Sequence, residues 1–137
     1  MTLTPVVAVH MTSALLALAV GPVALWARLG SRQRTKLHRA FGYAWVTLMI
    51  VTAVSAIFIR STLPIALAGF SPIHLLIPFT LVNLGLAFWA LSRGNIERHR
   101  RHMVNTYLGA CVGAGIFTLV PGRILGDWLW RGVLGWI

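Results

Sequence analysis

The chain has 137 residues, of which 58% are hydrophobic and only 10% are charged, and its mean hydropathy is +0.80. Soluble globular domains are about one quarter charged, so this composition excludes an ordinary soluble domain and predicts a membrane protein. A formal net charge of +10 would favour nucleic acid binding in a soluble protein, but so apolar a chain leaves no soluble surface to enter a groove.

Four stretches are long enough to cross a bilayer as helices, which takes roughly 20 predominantly apolar residues. They cover about Pro5–Ala27, His38–Ile59, Pro72–Leu91 and His102–Val120. The predicted fold is therefore an all-α integral membrane protein, a four-transmembrane-helix bundle that forms a single domain over residues 1–137.

Lysine and arginine are concentrated in two of the three connections. Nine of the twelve lie in the first and third connections, and three lie elsewhere. Short basic loops stay in the cytoplasm, so both connections are predicted inside and both chain termini outside. The beginning of the chain has no basic region followed by a cleavage signal, so we predict no cleaved signal peptide.

The last segment, residues 124–137, contains three of the six tryptophans and is too short to cross the bilayer again. Tryptophan is enriched at the membrane–water interface. We therefore predict that this tail lies flat on the outer surface as an interfacial helix.

A short pattern occurs twice in the chain, 64 residues apart, in halves of about 5–60 and 72–123. Such a repeat predicts a two-fold (2+2) architecture in which matched residues face each other across an axis. The matched pairs are His10/His74, Gly21/Gly85, Gly30/Gly94, Arg34/Arg98, His38/His102 and Tyr43/Tyr107.

Four of the five histidines fall into two of these pairs, one near each side of the membrane. His10 and His74 belong to the outer ends of the first and third helices, and His38 and His102 to the inner ends of the second and fourth. Two imidazoles from alternate helices can supply both axial ligands of a haem iron. We therefore predict two bis-histidine b haems, held without covalent attachment because the chain has no C-x-x-C-H site. His99 is the alternate ligand.

Small and basic residues near the histidines fit the same hypothesis. Gly21 and Gly85 lie on the histidine-bearing helix faces and would leave room for a porphyrin, although close helix packing explains them equally well. Arginine binds carboxylates such as haem propionates. Arg34 and Arg98 are candidates for the inner haem, where topology signalling is the alternative explanation. The outer candidates are Arg60 and Arg123, on the side where positive charge is disfavoured.

Four parts of the sequence resemble an uncharacterised bacterial membrane family, domain of unknown function 2306: His10, Lys36–Tyr43, Phe70–His74 and Arg98–Tyr107. The resemblance covers nearly the whole chain, implies a multi-pass protein of the bacterial inner membrane, and brings no activity with it. The histidine layout is similar, in arrangement only, to that of the cytochrome b561 class. That similarity would imply electron transfer to or from a quinol, ascorbate, a ferric chelate or superoxide.

We therefore expect a small dihaem electron carrier, with an oxidoreductase activity as one form of that role. No catalytic residue is predicted, because the sequence contains no nucleophile constellation and any chemistry would belong to the cofactor. Two alternatives stay open: a non-catalytic subunit of a larger membrane complex, and a metal-binding or transport protein that uses His99 and His102. Membrane lipid is the expected partner, with quinone, other membrane subunits and a second copy of the chain as further candidates.

Overall fold

The computed structural model describes residues 3–29, 34–60 and 72–136, and every regular element in these ranges is helical. Helix α1 is Pro5–Trp26, α2 is Thr35–Ile57, and α3 is Leu76–Ser92, preceded by a 3₁₀ turn at Pro72–Leu75. Three helical segments are long and apolar enough to cross a membrane: Pro5–Trp26, Thr35–Ile57 and Ile73–Ser92. The prediction of an all-helical membrane protein is confirmed to this extent.

The fourth predicted crossing is helical but not a regular α-helix. Helix α4, Ile96–Thr106, continues directly into a π-helical stretch, Tyr107–Gly113, and then into α5, Ala114–Thr118. Stretches of i→i+5 hydrogen bonding are rare and are frequent at functional sites. The crossing at His102–Val120 and the four-helix count remain predictions.

Local sequence sets the start of α4. Gly94 has a φ of +70°, a left-handed conformation that glycine adopts at no steric cost, and it ends the connection from α3. The side chain of Asn95 then accepts a hydrogen bond of 2.9 Å from the backbone N–H of Arg98 and caps α4. This tight turn folds α4 back along α3.

The helices pack as two hairpins, α1 with α2 and α3 with α4, and the hairpins meet where α2 contacts α3 and where α1 contacts the π-helical stretch. Tyr107 lies at the second of these contacts, and its hydroxyl donates a hydrogen bond of 3.1 Å to the backbone oxygen of Leu18. Its repeat partner Tyr43 is 60% exposed. A buried hydrophobic cluster lies between the hairpins and consists of Ala17, Trp45, Val46, Met49 and Leu84.

The C-terminal segment folds back on the end of α5. Helix α6, Ile124–Asp127, is followed by π-helical residues Trp128–Val133, and the indole N–H of Trp130 donates a 2.7 Å hydrogen bond to the backbone oxygen of Leu119. Asp127 accepts a 2.8 Å bond from the backbone N–H of Gly122. The predicted tail is thus helical as far as residue 133, while its place at the membrane surface remains a prediction. Gly30 of the repeat and the connection at 61–71 lie outside the described residues.

Candidate functional site

In the part of the chain that the structure describes, two of the cavities between the helices are each lined by two histidines. The His10 cavity, about 250 Å³, is lined by His10 of α1 and by His74 of the 3₁₀ turn before α3. The His38 cavity, about 670 Å³, is lined by His38 of α2 and by His99 of α4. Small-molecule sites in proteins occupy roughly 300–1,000 Å³, so the second cavity has the size of a ligand site and the first is slightly smaller.

In the His10 cavity, both imidazoles are held by backbone oxygens from α2 or the residues directly after it. His10 Nδ1 lies 2.9 Å from the oxygen of Thr52 and 3.2 Å from the hydroxyl of Ser55, and His74 Nε2 lies 2.9 Å from the oxygen of Ile59. A carbonyl oxygen only accepts hydrogen bonds, so the ring nitrogen facing it carries the proton. When an imidazole held in this way is neutral, its other ring nitrogen carries the lone pair.

In the His38 cavity, each of the two imidazoles is held by a hydrogen bond from Nδ1 to a backbone oxygen. His38 Nδ1 donates to the backbone oxygen of Ala24 at 2.8 Å, and His99 Nδ1 donates to that of Ala87 at 3.0 Å. Each acceptor lies near the end of the preceding helix, α1 or α3. Histidines that bind metals characteristically donate their second ring N–H to a carbonyl or carboxylate, which fixes the ring orientation and leaves Nε2 as the ligand atom. Both histidines have this arrangement.

His102, the repeat partner of His38, is placed differently. Its Nδ1 donates a 2.9 Å hydrogen bond to the side-chain oxygen of Asn83 on α3, and it does not line the His38 cavity. Residues three apart on a helix are turned by about 60° from one another, enough to separate their partners. The structure therefore brings His38 together with His99, the alternate ligand, at an offset of 61 residues instead of 64.

Of the four arginines predicted to bind propionates, Arg123 is the one among the described lining residues of the two cavities. Arg123 lines the His10 cavity, its guanidinium carbon lies 4.1 Å from the ring centroid of Phe117, and partial burial lowers the pKa of its guanidinium. Arg60 follows α2 and is exposed.

The arginines predicted for the inner haem lie against tryptophan rings. The guanidinium carbon of Arg34 lies 4.3 Å from the ring centroid of Trp26, and that of Arg98 lies 5.7 Å from the ring centroid of Trp89. The arginines that line the His38 cavity are Arg28, Arg39 and Arg100.

The two repeat-matched glycines, Gly21 and Gly85, differ in burial and in the space around them. Gly21 is buried and lines the His38 cavity, and a Cβ there would lie 2.5 Å from the ring of Tyr107 and 3.0 Å from Nε1 of Trp45. Gly85 is exposed, and a Cβ there would meet no atom within 4 Å. Close packing of Tyr107 therefore explains the missing side chain at Gly21.

The side chains that line the cavities suit a metal ion that is already bound in a cofactor better than they suit a bare metal ion. Among residues 3–29, 34–60 and 72–136, no three His, Cys, Asp or Glu side chains are grouped so that they could hold a metal ion. Glu97 and Asp127 lie at the surface in ion pairs with Arg101 and Arg131, at 3.3 and 3.9 Å. A bare zinc ion needs three or four protein ligands. An iron porphyrin needs two or fewer, and each cavity is lined by two histidines.

Comparison with known proteins places most of the chain in one family. A family model described as a predicted membrane protein, DUF2306, matches residues 7–130. No curated protein and no solved structure matches the chain. The sequence match covers both cavities and agrees with the membrane class of the fold, but its description assigns no activity.

Proposed function

The chain belongs to the DUF2306 family of predicted membrane proteins, and from this premise we propose that it is a small b-type cytochrome that carries electrons within or across the bilayer. Two haems would be bound, one by His10 and His74 and the other by His38 and His99. The observation that carries the proposal is the pairing of four histidines around two cavities, each with one ring nitrogen held by a backbone oxygen.

The separation of the two sites supports transfer across the membrane. The oxygen that holds His38 belongs to Ala24, which lies 14 residues after His10 on α1. At 1.5 Å per residue this is a rise of about 21 Å along one helix. The hydrocarbon core of a bilayer is about 30 Å thick, so sites at the two ends of α1 would together reach across most of it.

The protein would supply ligands, orientation and electrostatics, and the haem would supply the one-electron chemistry. His38 and His99 would each present Nε2 while the carbonyl oxygens of Ala24 and Ala87 keep their Nδ1 atoms protonated. The His38 cavity is the larger of the two, so we expect it to bind haem first when haem is limiting.

The experiment is a visible spectrum of the full chain, expressed with a haem supply and purified in detergent. We expect a Soret band that sharpens and shifts on reduction, and about two haems per chain by the pyridine assay. His10→Ala and His74→Ala should each remove the same haem, because either change leaves the iron one protein ligand. A protein that folds in the membrane without any Soret absorption would overturn the proposal.

A further inference from the structure

The dipeptide His-Arg occurs twice in the walls of the His38 cavity. His38-Arg39 lies near the start of α2, and His99-Arg100 lies near the start of α4. All four side chains line the one cavity. Successive residues of a helix are turned by 100°, so an imidazole and the guanidinium beside it can contact two different parts of one ligand.

In the part of the chain that the structure describes, no acidic side chain neutralises the two arginines of these dipeptides. Within the described residues, Arg39 and Arg100 form neither an ion pair nor a contact with an aromatic ring, in contrast to Arg34 over Trp26 and Arg98 near Trp89. No Asp or Glu is among the described residues that line the cavity.

The rest of the cavity wall is largely apolar and includes Leu25, Val46, Phe88 and Met103. An apolar pocket with a few cations at fixed positions suits an amphipathic anion, whose body is buried while its charged groups meet the cations. Arginine is well matched to carboxylates, because its planar guanidinium can form two parallel charge-assisted hydrogen bonds with one carboxylate.

We propose that Arg39 and Arg100 bind the two propionates of the haem held by His38 and His99, so that the His38 cavity selects its ligand by negative charge as well as by iron ligation. This inference rests on the proposed function and adds a specificity to it. It assigns the propionates to arginines that follow the cavity histidines directly, in place of Arg34 and Arg98.

The test compares haem with haem dimethyl ester, in which both carboxylates are esterified and the iron is unchanged. Binding of each is followed by its visible absorption in the haem-free, detergent-solubilised full chain carrying His10→Ala, which weakens the other site. We expect haem to bind roughly tenfold or more tightly than its ester, since a hydrogen bond between charged groups is worth that factor or more.

Arg39→Gln and Arg100→Gln should each reduce this preference and leave the affinity for the ester nearly unchanged. Arg34→Gln and Arg98→Gln are matched controls, because their guanidinium groups already lie against tryptophan rings, and the preference should survive both changes. Retention of the preference in both Arg39→Gln and Arg100→Gln would overturn the assignment.

Equal binding of haem and ester by the protein with all arginines intact would overturn the inference and leave the proposed function standing. Failure of both to bind would be a failure of the proposed function, and the inference would fall with it. A phospholipid headgroup is the other possible source of an anion, and native mass spectrometry detects it. If a phospholipid is retained only while Arg39 and Arg100 are present, and haem and its ester bind equally well, the arginines bind a lipid headgroup and the inference is overturned.

Discussion

At the scale of single residues, His99 and His102 lie one turn apart on α4 and have different partners. His99 lines the His38 cavity with its Nδ1 on a backbone oxygen, whereas His102 is bonded to the side chain of Asn83. We therefore expect His99→Ala to lower the haem content by about one per chain and His102→Ala to preserve both haems. Haem-to-protein ratios of the two purified variants decide between them, and the opposite result would mean that the repeat at 64 residues identifies the ligand.

Arg123 and Arg60 form a second contrast, since only Arg123 lines the His10 cavity. A cation beside a haem disfavours the oxidised, more positive iron, so its removal lowers the reduction potential. We expect Arg123→Gln to lower the potential of the haem in the His10 cavity by some tens of millivolts, because about 1.4 kcal/mol corresponds to roughly 60 mV for one electron.

A redox titration of each variant, followed at the haem absorption bands, measures this change. Arg60→Gln is the control and should leave both potentials where they were. A shift of the same size in both variants would show a general effect of surface charge instead of a contact at the cavity.

At the scale of elements, the packing of α1 against the π-helical stretch depends on Gly21. A methyl group there would overlap the ring of Tyr107, so Gly21→Ala requires the ring or the helix to move. Overpacking of this kind costs about 1–3 kcal/mol. Gly85→Ala, at the repeat-matched position with open space around it, should be neutral or slightly stabilising because alanine favours helix.

Thermal unfolding of the two variants in the same detergent, followed by circular dichroism, compares them directly. We expect a lower midpoint for Gly21→Ala alone. Equal midpoints would mean that Tyr107 moves aside without loss of packing.

The first three helices could be predicted from the sequence to within four residues at each end, since a run of about 20 apolar residues determines each one. The repeat also predicts that His10 and His74 lie at matched helix ends, and in the structure both line one cavity, while their role as haem ligands stays a prediction. The cavity that His38 shares with His99 could not be predicted from the repeat. It depends on the turn at Gly94 and on the rotation of α4, which decide whether His99 or His102 meets the cavity. The π-helical stretch has no local signature that distinguishes it from an α-helix of small residues.

At the scale of the whole molecule, three helices that are long and apolar enough to cross a membrane separate the beginning of the chain from α4. A fourth crossing would return the end of the chain to the first side. Single cysteines at Leu3, Glu97 and Leu134, all exposed positions, can test this in a chain whose only native cysteine is changed by Cys111→Ala. An impermeant thiol reagent applied to intact cells should label Leu3→Cys and Leu134→Cys and should spare Glu97→Cys. The basic connections are then inside, as the rule of positive charge predicts.

Labelling of Leu3→Cys and Glu97→Cys from the same side would contradict three crossings. Labelling of Leu134→Cys together with Glu97→Cys would show that residues 107–118 do not cross. Permeabilised cells, in which all three positions should react, provide the control for accessibility.

Helix α2 contributes to both histidine pairs. Its first turns carry His38, while the backbone oxygen of Thr52 within it and that of Ile59 directly after it hold His10 and His74. A small slide or rotation of this helix therefore reaches both pairs of histidines at once. If a ligand in one cavity moves α2, the affinity of the other cavity changes, and thermodynamic reciprocity requires the same factor in either direction. Helix α2 would then couple the two cavities. The occupancy of each cavity would depend on whether the other one is filled, and so would the order in which they fill.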